Sequence, residues 1–127
     1  MKEIIKTKHA ASPIGPYNQA VLINGFLYTS GQIAIDPETG ETQFDSIEIE
    51  THRVMKSLEA ILEAAKMDFN HVIKASIFIS NMDDFSKINA TYGSYFDEDT
   101  APARETVQVA KLPKNANVEI SFIAYNK

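Results

Sequence analysis

The chain has 127 residues with no cysteine, and 12 basic against 17 acidic residues give a formal net charge of −5. The missing cysteine excludes disulfides, thiolate metal sites and cysteine nucleophiles, and the acidic balance argues against nucleic-acid binding, which relies on basic surface. We expect a single domain over residues 1–127, cytoplasmic and without membrane contact, because no apolar run is long enough to span a bilayer and the first residues lack a signal-peptide core.

The first predicted elements are two strands of a β-hairpin. Residues 20–23 and 26–30 are rich in strand-forming side chains. Asn24-Gly25 lies between them and suits a type I′ turn, in which both residues need a positive φ.

Two helices are predicted further along the chain. Over residues 46–66 apolar side chains recur at helical spacing, and Asp45 with Glu48 resembles a capping pair at the start. A second helix is predicted over residues 81–96, with Asn81 as its cap. Its apolar stripe consists of Phe85, Ile88, Tyr92 and Phe96.

Three further strands are predicted, over residues 72–80, 103–109 and 118–126. The element order is typical of an α+β fold in which two helices pack on one face of a single sheet. The other face is then either solvated or an oligomer interface. Ile123 and Tyr125, which share that face in the last strand by alternation, favour an interface.

The residues themselves offer three places for chemistry. Two prolines stiffen the segment 12–19, which contains Tyr17 and is either a binding loop or a structural connection. Arg104 begins a strand and either holds a carboxylate by two parallel hydrogen bonds or pairs with a surface acid. Glu119 lies between apolar neighbours, so it is either a general base with a raised pKa or an exposed strand charge. The histidines lack metal-ligand spacing, and we expect no metal site.

These segments match the RidA (YjgF) family of reactive intermediate deaminases, which the chain resembles over essentially its whole length. The joint order and spacing of the motifs make the match specific. The motifs are Ile14-Gly15-Pro16-Tyr17, Thr29-Ser30-Gly31-Gln32-Ile33, Asn89-Ala90-Thr91-Tyr92, Pro102-Ala103-Arg104, the segment 107–113 and Val118-Glu119-Ile120.

The resemblance implies a chorismate-mutase-like α+β fold, with two helices on one face of a mixed sheet. It also implies a homotrimer with a central barrel and active sites between subunits. The implied reaction is hydrolysis of 2-imino acids such as 2-iminobutanoate and 2-iminopropanoate, or of their enamines, to 2-keto acids and ammonia. Family members use no cofactor. Their substrates come from PLP-dependent dehydratases, a functional link without stable binding.

The resemblance also assigns catalytic roles by position. Arg104 would clamp the substrate carboxylate, Glu119 would position or activate the hydrolytic water, and Tyr17 would line the pocket and order the imine or the water.

Four further positions would bind the substrate. The backbone at Thr106 and Gly31 would donate hydrogen bonds to the bound acid, and Ser30 and Asn89 would shape and polarise the site.

Three positions depart from the family pattern. Glu105 follows the arginine, where a small residue is usual, and adds negative charge near an anion site, although alternation points it away from Arg104. Thr106 stands where many members have cysteine, which leaves a backbone role intact. Lys66 replaces a common glycine after the first helix, where either a left-handed conformation costs about 1 kcal/mol or the helix ends differently.

Two other functions stay open. Relatives have been associated with ligand sensing, regulation and chaperone-like holding, so the alternative is a non-enzymatic protein that binds a small metabolite. RNA cleavage is a label attached to some relatives, but the net charge of −5 argues against it.

Overall fold

Two α-helices lie on one face of a six-stranded mixed sheet in the computed structural model, which describes residues 1–127. This arrangement confirms the predicted α+β architecture. The strands are β1 (Glu3–Ile5), β2 (Ala20–Ile23), β3 (Phe26–Thr29), β4 (Val72–Ile79), β5 (Ala103–Gln108) and β6 (Val118–Tyr125), and the helices are α1 (Ile47–Ala64) and α2 (Phe85–Gly93). Neither helix is long and apolar enough to cross a membrane.

The strand order is β1-β2-β3-β6-β4-β5, so the last strand of the chain lies in the middle of the sheet. β6 pairs antiparallel with both β3 and β4, whereas β5 pairs parallel with β4 and forms one edge. β1 forms the other edge and was not predicted, because three residues carry no visible periodicity. It is a strand because Glu3, Ile4 and Ile5 pair with β2.

The β2–β3 turn confirms the predicted hairpin. Asn24 and Gly25 both have positive φ, at 51° and 83°. Both residues can adopt this conformation with little strain, so the turn fixes the hairpin register locally.

Helix α1 begins and ends differently from the prediction. Its cap is Ser46, whose hydroxyl accepts a hydrogen bond from the backbone N–H of Ile49 at 3.1 Å, so the Asp45–Glu48 capping pair was wrong. The helix ends at Ala64, and Lys66 follows with φ of 60°. Of the two alternatives at this position, the lysine adopts the left-handed conformation, at a cost of about 1 kcal/mol.

Helix α2 is shorter than predicted at both ends. Asn81 caps a 3₁₀ turn over Met82–Asp84, which precedes the helix, by accepting from the N–H of Asp83 at 2.9 Å. The α-helix ends at Gly93, yet Phe96 still packs against the core beyond that end. Packing of the aromatic stripe therefore continues where the helical hydrogen bonding stops.

The two faces of β6 differ sharply in burial. Val118, Ile120, Phe122 and Ala124 face the helices and are at most 2% exposed. The alternate residues face away from the helices, where Phe26, Tyr28 and Tyr125 remain partly exposed and the rings of Phe26 and Tyr125 lie 4.6 Å apart. We name this side of the sheet the open face.

Candidate functional site

Arg104 and Glu119 project from opposite faces of the sheet. Arg104 is in register with Ala75, which belongs to the core beneath the helices. Glu119 pairs with Phe78 and lies between two buried neighbours in β6, so its own side chain is on the open face. One chain therefore carries two separate half-sites, which we name the Arg104 pocket and the Glu119 cavity.

The Glu119 cavity measures about 340 Å³ and gathers three of the predicted site residues, Tyr17, Gly31 and Glu119. The proline-stiffened loop forms one wall, which supports its interpretation as part of a binding site. The remaining lining residues are Ala11, Ser12, Pro13, Ile14, Gln19, Gln32, Ile33, Ile35, Pro113 and Lys114.

Burial dominates the electrostatics of Glu119. The side chain is half-buried and forms no ion pair within the chain. Burial alone raises the pKa of this carboxyl above its usual value. A raised pKa makes the ionised form a stronger base than an ordinary carboxylate, which favours the first of the two alternatives that the sequence left open for Glu119.

Gly31 makes room for the Glu119 carboxyl. A Cβ at this position would lie 2.7 Å from Cδ and 2.8 Å from Oε1 of Glu119, which is closer than packed atoms approach. Reciprocal backbone hydrogen bonds between Gln32 and Ile120, at 2.8 and 3.1 Å, hold the two segments side by side. The resemblance assigned Gly31 a backbone role towards substrate and did not reveal this steric one.

The loop that carries Tyr17 is anchored at its base by Gln19, a residue that sequence reasoning missed. Gln19 is 3% exposed, and its side-chain amide donates to the carbonyls of Thr7, Ala10 and Ala11 while its oxygen accepts from the N–H of Thr7. Ser30 contributes a second tie, because its hydroxyl donates to the Asn18 carbonyl at 2.6 Å. Ser30 thus braces the loop and does not line the Glu119 cavity.

The Arg104 pocket, about 470 Å³ in volume, places Asn89 of α2 beside Arg104 of β5. The guanidinium carbon lies 5.2 Å from the ring centre of Tyr92 and 5.8 Å from that of Phe85. No carboxylate of this acidic chain pairs with Arg104. The rings therefore orient the guanidinium by cation–π contact and leave its N–H donors free, which contradicts the alternative of an arginine paired with a surface acid.

Tyr92 closes the floor of the Arg104 pocket. Burial raises the pKa of Tyr92 to about 12, although the positive charge of Arg104 acts in the opposite direction. The phenol therefore stays protonated at neutral pH. Its hydroxyl is buried without a hydrogen-bond partner.

The two residues after Arg104 behave differently. Glu105 points to the open face, as alternation predicted, where it accepts from the hydroxyl of Ser76 and from Nζ of Lys74, the latter at 2.9 Å. These two hydrogen bonds lower the pKa of Glu105, and its carboxylate pairs with Lys74 rather than with Arg104. Thr106 returns to the face of Arg104, and its hydroxyl is buried without a partner.

Two of the three histidines contact a single neighbouring side chain each. His52 shares a 2.8 Å hydrogen bond with the hydroxyl of Tyr95, and Nδ1 of His71 lies 3.2 Å from a carboxylate oxygen of Asp68. No group of three or more histidine, aspartate or glutamate side chains is placed to hold a metal ion.

Comparison with known proteins gives consistent matches along the whole chain. The family model described as endoribonuclease L-PSP matches residues 7–126. The Lactococcus lactis protein AldR, which is named as a regulator, is 50% identical over 96% of both chains. The RutC family protein slr0709 of Synechocystis is 47% identical over 96% of this chain and 95% of its own length. The chloroplastic Reactive Intermediate Deaminase A of Arabidopsis thaliana is 40% identical over 97% of this chain and 65% of its own length.

Solved structures share the fold closely. YyfA of Yersinia pestis, a protein of the Rid family, superposes with a TM-score of 0.96 at 45% identity, covering 99% of this chain and 100% of its own. Escherichia coli TdcF with bound serine superposes with a TM-score of 0.92 at 38% identity, covering 98% and 99%. The arrangement of two helices on a six-stranded sheet is therefore shared with these proteins.

Proposed function

The chain belongs to the endoribonuclease L-PSP (YjgF/RidA) family, and from that premise we propose that it hydrolyses reactive 2-imino acids to 2-keto acids and ammonia. The proposed substrates are 2-iminobutanoate and 2-iminopropanoate, with their enamine tautomers. One observation carries the proposal: the chain presents an arginine with free donors and a carboxyl with a raised pKa, neither of them paired. A carboxylate anchor and a base are the groups that hydrolysis of an imino acid requires.

In the proposed mechanism Arg104 binds the substrate carboxylate through two parallel hydrogen bonds. Glu119 accepts a proton from water while the water oxygen attacks C2 of the protonated imine, giving a carbinolamine. Glu119 then returns this proton to the amine, and the C2–N bond breaks with departure of ammonia. As the keto group forms, the hydroxyl proton of the carbinolamine passes to Glu119, which releases it to solvent and is ready for the next turnover. Such a positioned base contributes about 10²–10⁴-fold to the rate, and no step needs a metal or an organic cofactor.

The remaining site residues support these two groups. Tyr17 orders the water or the imine within the Glu119 cavity, and the backbone of Gly31 and Thr106 donates to the bound acid. Asn89 polarises the site beside Arg104, and Ser30 holds the loop of Tyr17 in place. The substrates come from PLP-dependent dehydratases in the cytoplasm, without stable binding between the enzymes.

The opposite orientation of Arg104 and Glu119 supports an active site built from two copies of the chain. A small ligand cannot contact both groups of one copy through the sheet that separates them. In the proposed homotrimer with a central barrel, the open face with Phe26, Tyr28 and Tyr125 forms the interface, and Arg104 of one subunit meets Glu119 of another. Exposed aromatic side chains of this kind are typical of protein interfaces.

Mixing two impaired variants tests the shared site. We expect Arg104→Ala and Glu119→Gln each to have strongly reduced activity and to regain part of the wild-type activity when they are unfolded and refolded together. In a mixed oligomer, Glu119 of the first variant can meet Arg104 of the second. Absence of recovery, with mixed oligomers demonstrated by mass spectrometry, would contradict a site shared between copies.

The reaction itself is tested in a coupled assay with threonine dehydratase, in which semicarbazide traps the remaining imine. We expect the wild-type protein to accelerate imine loss, and Arg104→Ala to abolish that acceleration. Lys111→Ala is the matched control, because Lys111 is an exposed cation that lines neither half-site. Equal rates with and without the wild-type protein, or equal rates for wild type and Arg104→Ala, would refute the proposal.

A small-metabolite-binding regulator is the second candidate, because the related TdcF was solved with bound serine and AldR is named as a regulator. Such a protein would bind the 2-keto acid through Arg104 without turning over the imine. Calorimetry with 2-oxobutanoate then shows binding that Arg104→Ala removes, while the coupled assay shows no acceleration. RNA cleavage, which the family description mentions, is disfavoured by the net charge of −5 and would require strong, salt-dependent RNA binding.

A further inference from the structure

Glu50 is a fully buried acid that the proposed mechanism does not use. It lies near the start of α1, its side chain is 0% exposed, and no cation pairs with it. Acidic residues are rarely buried to this extent without a positive partner, because desolvation of the carboxylate is costly. The hydrogen bonds of Glu50 must therefore compensate for that cost.

The three hydrogen bonds of the Glu50 carboxylate all come from the two residues that precede Glu119. Oε2 accepts from the backbone N–H of Asn117 at 2.7 Å and of Val118 at 3.2 Å, and Oε1 accepts from Nδ2 of Asn117 at 2.7 Å. Ser80 holds Asn117 from the other side, by a backbone hydrogen bond of 3.0 Å and a side-chain hydrogen bond of 3.2 Å. The beginning of β6 is thus tied both to α1 and to the end of β4.

The side chain of Glu119, in contrast, makes no hydrogen bond of its own within the chain. The position of the Glu119 carboxyl against Gly31 therefore depends on the position of the β6 backbone that carries it. An apolar side chain could fill the volume of Glu50 but would leave the N–H groups of Asn117 and Val118 without acceptors. A carboxylate at this position therefore fixes the backbone directly before Glu119.

We propose that Glu50 is a positioning residue, which holds the start of β6 so that Glu119 stays half-buried in its cavity. Its effect on catalysis rests on the proposed function, whereas its effect on the Glu119 carboxyl does not. The two effects are therefore measured separately.

Glu50→Leu is the principal variant, because leucine has similar bulk and accepts no hydrogen bond. We expect kcat to fall by about tenfold, since sub-ångström misplacement of a reacting group has effects of this order, and KM to stay within about twofold because Arg104 is untouched. In a carbon-13 NMR titration, the pKa of the Glu119 carboxyl should fall towards 4.5 as the group becomes more exposed.

The double variant Glu50→Gln with Asn117→Asp exchanges the amide and the carboxylate. The side-chain oxygen of the introduced glutamine then accepts both backbone N–H groups, and its amide donates to the introduced aspartate, so every hydrogen bond is retained. We expect the double variant to restore both kcat and the raised pKa of Glu119. Thr51→Val is the matched control, because Thr51 is equally buried but donates only to Ile47 within its own helix.

The proposal is overturned if folded Glu50→Leu keeps the wild-type pKa of Glu119, or if the double variant folds without restoring it. Should Glu50→Leu fail to fold, Asn117→Ala decides in the same way with a smaller expected shift. This variant removes one of the three hydrogen bonds of the Glu50 carboxylate, and with it the side-chain hydrogen bond from Ser80. If the wild-type protein does not hydrolyse imines, the proposed function fails and the titration alone decides the role of Glu50.

Discussion

The Arg104 pocket and the Glu119 cavity each present one unpaired charge, but the fold secures the two charges by different means. Arg104 lies on an exposed edge strand, where two aromatic rings orient its guanidinium without using its N–H donors. Glu119 lies in a central strand between buried neighbours, and its carboxyl occupies the space that a side chain at Gly31 would need. An anchor for an anion must keep its charge and its donors, whereas a base benefits from an environment that disfavours its charge. Each half-site has the environment that its proposed role requires.

The largest expected effect comes from the base. Glu119→Gln keeps the shape of the side chain but cannot accept a proton, so we expect kcat for imine hydrolysis to fall by about 10²–10⁴-fold, with KM nearly unchanged. Steady-state kinetics in the coupled assay measure both values. A raised KM with an unchanged kcat would contradict this assignment, because it would mean that Glu119 binds the substrate, the role proposed for Arg104, and does not act as the base.

A smaller effect is expected from the anchor when its charge is kept. Arg104→Lys retains a cation but loses the planar fork that binds a carboxylate at two points, so we expect KM to rise by about tenfold, corresponding to about 1.4 kcal/mol. Calorimetric binding of 2-oxobutanoate should weaken by the same factor. Unchanged affinity would show that charge alone, without bidentate geometry, holds the ligand.

Gly31→Ala disturbs the Glu119 cavity without touching any charge. The new methyl group would overlap the Glu119 carboxyl, and relief of such overlap costs about 1–3 kcal/mol in the free energy of unfolding. Gly93→Ala is the matched control, because a Cβ there meets no heavy atom within 4 Å. In urea denaturation, equal stability of the two variants would contradict the close approach of Gly31 and Glu119.

Local chemistry explains which of these features could be predicted from the sequence. Asn24-Gly25 determines its own turn, whereas the apolar neighbours of Glu119 left open whether it is a base with a raised pKa or an exposed strand charge. The close approach of Gly31 and Glu119 depends on pairing between distant segments, and so do the hydrogen bonds that Glu50 accepts from Asn117 and Val118, which lie 67 and 68 positions further along the chain. The sequence motifs therefore identified the candidate residues. That Arg104 and Glu119 lie on opposite faces of the sheet follows only from the strand pairing.

The pH dependence of stability offers a further test of the Glu119 environment. Because burial raises the pKa of Glu119 in the fold, the native state binds this proton more tightly than the unfolded chain does. The contribution of Glu119 to stability therefore decreases as pH rises from about 4.5 through the raised pKa. We expect Glu119→Gln to be more stable than wild type at pH 7 and to lose that advantage near pH 4, as measured by urea denaturation. An advantage that is independent of pH would mean that charge is not its cause.

The smallest effect is expected beside Arg104, at Thr106. Its hydroxyl is buried without a partner, and an unsatisfied buried hydroxyl is unfavourable by about 1 kcal/mol. Valine has nearly the same shape and lacks the hydroxyl, so Thr106→Val should raise the free energy of unfolding by up to about 1 kcal/mol. The backbone N–H assigned to the substrate is retained, so kcat and KM should stay at wild-type values. A loss of activity in a folded Thr106→Val protein would show that the hydroxyl, and not only the backbone, contacts the ligand.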